Sequence, residues 1–299
     1  MDSVIQSDMT ACRLCPRACG VDRHAGQVGV CSMPATLYVS RIAPHMWEEP
    51  PISGTRGSGT VFFSGCSLRC VFCQNRRISR EGVGRPISAE ALEEEILRLR
   101  DQGVHNVNFV TPTHYSAALI PVLAALKPRL GIPVVWNCGG YESVEALRRL
   151  EGLVDVYLPD FKYLSPELSA AYSAAPDYAE RATEAVLEMY RQVGRITFDS
   201  EGLVTRGMIL RHLVLPGCRA DSLAVLRHLA HILPPADIRV SIMRQYTPDF
   251  AMDCPHKNLH RRVTEFEYAS VLAEADRLGL EGYRQGKDAA DKAYTPEFE

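Results

Sequence analysis

From Thr60 onward the chain repeats one unit six times, a short apolar run followed by a helical period. The runs are "TVFFSG" from Thr60, "VHNVNFV" from Val104, "IPVVW" from Ile132, "LVDVYLPD" from Leu153, "GMILRHLVLPG" from Gly207 and "DIRVSIM" from Asp237. Each is rich in β-branched or aromatic residues, too short for a helix, and predicts a strand. Helix signals lie between them. Ser88 is placed to cap a helix with Leu92, Ile96 and Leu99 on one face and Gly103 past its end. Ser165-Pro166 reads as a cap with proline at the first helical position, and Asp177 with Glu180 as a capping box. Asp221 is expected to cap a helix carrying Leu226, Leu229 and Leu233, and Thr264 with Glu267 to box the closing one. "TFDSEGLVTRG" predicts a hairpin ahead of the fifth strand. Six consecutive strand–helix units require a parallel sheet with right-handed crossovers. Periodicity leaves a doubly wound sheet and an incomplete (β/α)6-type barrel both open. In either one, chemistry gathers at the C-terminal ends of the strands.

The expected organisation is a loop-rich, cysteine-containing N-terminal module over 1–58, the α/β array over 59–283 and a tail over 284–299. A net charge of −3 argues against a nucleic-acid or anionic-membrane partner. The most apolar stretch, "ALIPVLAALKPRLGIPVVWNC", is broken by Lys127, Arg129 and prolines, so no membrane span is expected. The N-terminus lacks the pattern of a secretory signal, and a cytoplasmic location is expected. Seven of the ten cysteines fall in two clusters, at 12–31 and 66–73. In a reducing compartment such clustering favours metal ligation over disulfides.

The second cluster, "GCSLRCVFCQN", sets Cys66, Cys70 and Cys73 just past the first strand. Three thiolates can bind three irons of a cubane and leave the fourth open to an outside ligand, which a closed structural site cannot do. A zinc knuckle borrowing a fourth ligand, from His24 or another cysteine, is the alternative. The C-x3-C-x-aromatic-C pattern, following strand one of a (β/α) array, resembles the radical S-adenosylmethionine (SAM) superfamily. The resemblance implies a 4Fe-4S cluster whose open iron chelates SAM. It further implies reductive cleavage to methionine and a 5′-deoxyadenosyl radical, and hydrogen abstraction from a substrate. It places Phe72 near the adenine.

Further matches resemble the pyruvate formate-lyase activating enzymes and the related group with an extra cysteine-rich N-terminus. "VDVYLPDFKY" matches their D-x-K segment with Asp160 and Lys162, and "LRHLVLPG" their R-x-x-x-x-P-G segment with Arg211. The resemblance carries these residues over as SAM-binding, with no catalytic residue assigned. It implies a reduced flavodoxin or ferredoxin as electron donor and a protein substrate activated at glycine. Two departures stand out. Where that group has Gly-Gly-Glu after strand two, "FVTPTHY" offers Thr111, Thr113 and His114; of these, Thr113 and His114 are the candidates for holding SAM. At strand three "WNCGGY" replaces Asp-Thr-Asn-Gly. Asp160 with Lys162 also reads as a structural ion pair, and His114 as a core histidine. Arg211 and His212 alternate along a strand, so if one faces the interior the other packs outward. Gln245 and Tyr246 are expected at the mouth.

The first cluster, Cys12, Cys15, Cys19 and Cys31, has four ligands within twenty residues. It suits a structural zinc or a second 4Fe-4S cluster. Cys138, Cys218 and Cys254 lack partners at metal spacing and read as packed thiols, with Cys138 placed to face a cavity. Rival readings are a radical SAM enzyme acting on a small molecule or peptide side chain, and an iron–sulfur or zinc scaffold or electron carrier without turnover.

Overall fold

A computed structural model of the chain describes residues 8–289 together with Phe298. Its strands run β1 Leu37–His45, β2 Ser58–Phe63, β3 Arg85–Ile87, β4 Val107–Val110, β5 Val134–Cys138, β6 Val156–Pro159, β7 Thr197–Phe198, β8 Val204–Leu213, β9 Arg239–Met243 and β10 Gly282–Arg284. The sheet order is β10-β9-β8-β6-β5-β4-β2-β1-β3, with β7 paired to β8. From β2 through β10 the neighbours along that path are parallel, while β1 is antiparallel to β2 and β3. Among the described residues no pairing joins β10 to β3, so the barrel they form is incomplete and open between those edges.

β2, β4, β5 and β6 are buried along their whole length, as strands covered on both faces must be. Alternation sorts their side chains. Tyr157 points to the helices, donating from its hydroxyl to Gln192 at 2.6 Å, and Trp136 stacks beside Phe109. Val135, Val156 and Ile209 instead join Leu158 around Ile52 of the short helix Pro50–Ser53. Val135 and Val156 stand at the starts of their strands, and Asn106, just ahead of β4, donates to the Ile52 carbonyl at 2.7 Å, so Ile52 plugs the N-terminal end of the barrel. The expected boundary at 58/59 falls inside this arrangement, because β1 pairs with β2 from His45–Ser58 to Val39–Phe63. The prolines and glycines of 44–57 read as the end of a separate loop-rich module, yet they turn one strand back onto the next.

The caps follow the sequence with two exceptions. Ser88 and Ser165 accept from Ala91 and Leu168, and Thr264 with Glu267 forms a complete capping box. Asp177 makes no capping bond; its carboxylate takes the Tyr141 hydroxyl at 2.7 Å. Asp221 lies inside the helix Arg219–Ile232 and accepts from the backbone of Leu164 and Ser165 instead. The expected hairpin forms as β7 against β8. Most of the tail expected over 284–299 lies outside the described residues; Phe298 packs edge-on to Phe62 at 5.4 Å. No described helix is long and apolar enough to cross a membrane.

Candidate active site

The turn after β2 puts Cys66, Cys70 and Cys73 into the wall of a cavity of about 620 Å³. Each sulfur has a donor aimed at it. Leu68 N–H reaches Cys66 at 3.4 Å, the Ser173 hydroxyl reaches Cys70 at 2.9 Å, and the Ser79 hydroxyl reaches Cys73 at 3.3 Å. Such donors suit thiolates that share their charge with a metal. Burial pushes the Cys66 thiol up to about 12 and raises that of Cys73, and a charge on Cys70 adds to both. As free thiols these two would stay protonated; bound to iron they would not. Among the described residues no three His, Cys, Asp or Glu side chains converge as one metal ion would require. Three thiols in one cavity wall, each with a hydrogen-bond donor, are the ligand set that three irons of a cubane would take.

Gly65 opens the turn at φ +83°, and no other residue fits there. A Cβ would stand 2.3 Å from Met33 Cγ and 2.7 Å from the Cys31 carbonyl oxygen. The two cysteine segments are therefore packed directly against each other. Arg17 adds to the join, donating from Nε to Ser67 O at 2.8 Å and from Nη2 to Ser173 O at 2.9 Å. Arg23, 1% exposed, donates to Met33 O, Pro34 O and His114 O. Cys12, Cys15 and Cys31 are buried and Cys19 partly so. Burial raises the Cys15 thiol to about 12, with charges on Cys31 and Cys12 adding to it. Cys31 is raised by burial, and Cys12 and Cys19 contribute in the same sense. The four thiols thus form one electrostatic group. All ten cysteines are free thiols.

On the strand ends opposite, Asp160, Lys162 and Arg211 line the same cavity. Arg211 Nε donates to Asp160 at 2.9 Å, Nη1 approaches Glu48 at 3.4 Å, and Nη2 donates to Asn137 Oδ1 at 2.5 Å. Lys162 holds the other Asp160 oxygen. Burial would raise the Asp160 carboxyl, but Arg211 and then Lys162 outweigh it and hold it below the usual carboxylate range. This corner depends on Gly140 at φ +78°, where a Cβ would stand 2.1 Å from the Asp160 carbonyl oxygen. The Tyr178 hydroxyl, 2.9 Å from the carbonyls of Gly139 and Asp160, accepts from Lys162 N–H. Phe72 lies in the wall beside Tyr172 and Tyr246, and Cys138, Gln245 and Tyr246 line it as well.

Two candidates stand elsewhere. Thr113 is turned away from the cavity, donating to Glu142 at 2.5 Å, and His114 is buried behind the cysteine turn, donating from Nε2 to Ser64 O at 2.8 Å. A 3-10 turn over Thr113–Tyr115 rotates both inward toward the Arg23 anchor. The residue of that segment in the wall is Thr111, held at φ +58°. A β-branched residue is strained there, and strain of that kind concentrates at functional sites. The sequence reading passed over Glu48, Glu49, Asn137 and Ser241, which also line the cavity. The only signal was two adjacent carboxylates before Pro50-Pro51, in a stretch that reads as loop.

The family model described as the radical SAM superfamily matches residues 60–212. The chain is 30% identical over 284 residues to an uncharacterized protein of Methanocaldococcus jannaschii, covering 90% of this chain and 76% of that protein. It is 30% identical over 117 residues to the pyruvate formate-lyase-activating enzyme of Listeria monocytogenes, 36% of this chain and 47% of that enzyme. Among solved structures, Streptococcus suis SuiB bound to precursor peptide SuiA superposes with a TM-score of 0.50 at 14% identity. That match covers 83% of this chain and 48% of SuiB, and at such identity it speaks to the fold alone.

Proposed function

This chain belongs to the radical SAM superfamily, an enzyme family that uses a 4Fe-4S cluster and SAM, and on that premise we propose that its barrel cavity is where SAM is cleaved and a substrate loses a hydrogen atom. Cys66, Cys70 and Cys73 hold the cluster. Bound there, cluster and SAM supply a one-electron reductive cleavage to methionine and a 5′-deoxyadenosyl radical. The protein orients and shields the reactants. Leu68 N–H, Ser79 and Ser173 steady the three thiolates by hydrogen bonds. Phe72 supplies an apolar wall on the SAM side. The Asp160–Lys162–Arg211 network binds polar groups of the nucleoside, and Thr111 stands where related enzymes carry Gly-Gly-Glu. Thr113 and His114 act at one remove, bracing the root of the cysteine turn.

The observation that carries this reading is three hydrogen-bonded thiols in the wall of one cavity, at the C-terminal end of parallel strands. The second cysteine group is read as a further 4Fe-4S centre, its four thiols forming one largely buried group packed against the first. The electron donor is read as a reduced flavodoxin or ferredoxin, in the reducing compartment that ten free thiols suit. The hydrogen donor is a small molecule or a segment of polypeptide, a glycine of a partner enzyme included.

The test is anaerobic reconstitution, reduction with dithionite and addition of SAM. The wild-type protein is expected to form 5′-deoxyadenosine, and single Cys66, Cys70 or Cys73 to Ala variants to form none. Cys12→Ala is expected to retain part of the activity. Turnover that survives the three loop substitutions would refute the assignment. Iron analysis separates one cluster from two, at about four or about eight irons per chain.

A further inference from the structure

Glu49 is a poor choice for the position it occupies if structure alone is considered. It precedes the helix Pro50–Ser53, yet its side chain makes no capping bond. The fold uses only its backbone, whose carbonyl accepts from Ile52 N–H at 2.8 Å and Ser53 N–H at 3.1 Å. The side chain instead turns into the cavity and is 8% exposed. Ser241 serves the carboxylate on one side. Its Oε2 is shut away with no hydrogen-bond partner among the described residues. A buried carboxylate oxygen left unpaired is costly, and a bound ligand or ion is one way such an oxygen in a cavity wall is satisfied.

The charges around it leave the same vacancy for a cation. Glu48, Glu49 and Asp160 are the carboxylates of the wall. Arg211 is bonded to Asp160, Glu48 and Asn137 and its charge also reaches Glu49, so one guanidinium is shared among three carboxylates, while Lys162 pairs with Asp160. Arg284, also in the wall, pairs with Asp276. Among the described residues none forms an ion pair with Glu49. The backbone of Glu49 is bonded to Ile52 of the plug, at the N-terminal end of the barrel, and its side chain reaches from there toward Ser241 and Arg211, whereas the cysteine turn follows the C-terminal end of β2. A group held by Glu49 is therefore at the deep end of the cavity, away from the cluster side. Trp47 and Tyr283 line that cavity too, and aromatic faces suit a cation.

We propose that Glu49 is a substrate-binding residue that takes a cationic nitrogen, a protonated amine or a guanidinium, at the floor of the cavity. This rests on the cavity being the reaction chamber, and it adds the substrate's chemistry: a positive group at one end and the reacting C–H bond nearer the cysteine turn. The nitrogen belongs to a free small molecule or to a lysine or arginine side chain of a polypeptide, and the test separates the two.

The experiment uses the reconstituted protein with SAM bound and follows binding calorimetrically. The probes are n-butylammonium, n-butylguanidinium, n-butanol, and a blocked glycine tripeptide with a central lysine. A cation is expected to bind about tenfold or more tightly than butanol, the value of one charged hydrogen bond. Glu49→Gln is expected to erase that preference and Glu49→Asp to keep it, with melting curves checking that both variants fold. Tighter binding of the free amine identifies a small molecule, and tighter binding of the tripeptide a polypeptide. Equal binding of butanol and the cations in the wild type would overturn the proposal, as would a preference that survives Glu49→Gln. A loss of SAM affinity in Glu49→Gln matching the loss of cation affinity would assign the carboxylate to SAM and overturn it as well. Formation of 5′-deoxyadenosine in the same wild-type preparation tests the underlying reading separately.

Discussion

Arg211 and His212 are neighbours on β8 and serve opposite faces of it. Arg211 projects into the cavity, while His212 is buried behind it, with Nδ1 2.7 Å from the Phe161 carbonyl. A carbonyl only accepts, so Nδ1 carries a proton, and burial keeps the ring neutral. Burial lowers its pKa from the usual 6.5 to about 4, the Phe161 carbonyl opposing only in part. Between those values the unfolded chain binds a proton that the folded chain refuses, so stability rises with pH across the window. The contribution is complete above about pH 6.5 and is lost as pH falls through about 4, amounting to roughly 3 kcal/mol. Urea midpoints measured from pH 7 to pH 4 are expected to fall, and to fall less in His212→Asn. An identical slope in the variant would show that His212 plays no part. The opposed faces of Arg211 and His212 were legible as alternation along a strand. Which face turned inward was not, since that depends on the register set by β6 and β9.

At the scale of elements, the two cysteine segments show what spacing can and cannot convey. Ligand spacing is a local property, so both groups could be read from the chain. Their contact is not local. Arg17 ties the first segment to the second, bridging Ser67 of the turn and Ser173 at the end of the helix Pro166–Ser173, whose hydroxyl in turn serves Cys70. Arg17→Ala removes bonds from a charged donor to carbonyls that are then left partly unpaired, at a cost of about 2 kcal/mol. Amide exchange in residues 65–75 is expected to quicken in that variant more than exchange in β5 or β6, read by mass spectrometry. Equal protection in both regions would mean that the N-terminal segment does not brace the turn. The same distinction explains Asp177 and Asp221. Each stands beside a helix start as a cap should, but a tertiary donor claims the carboxylate instead.

At the scale of the molecule, the barrel is closed below by a segment that reads as the end of a separate loop-rich module. Ile52 is fully buried among residues of β5, β6 and β8. Ile52→Ala leaves a cavity at the point where the strands converge, and the expected cost is about 2 to 4 kcal/mol in denaturant unfolding. A loss well under 1 kcal/mol would mean the plug is dispensable. The plug also sets the depth of the cavity and brings Glu48 and Glu49 into it, which joins the stability of the floor to the chemistry above it.

The chain alone determined the strand–helix alternation, the parallel sheet, the cysteine turn at a strand's end and, through its motifs, the superfamily. All of these are carried by neighbours within a few turns of one another, where periodicity and ligand spacing act. Tertiary structure decided that the barrel stays open, that residues 37–58 belong to its sheet and floor, and that Thr111 rather than Thr113 or His114 meets the cavity. It also decided that a carboxylate from the end of an apparent loop-rich module would enter the cavity with one oxygen unpaired. Those outcomes depend on register and on burial between segments far apart in sequence, and no local pattern encodes either.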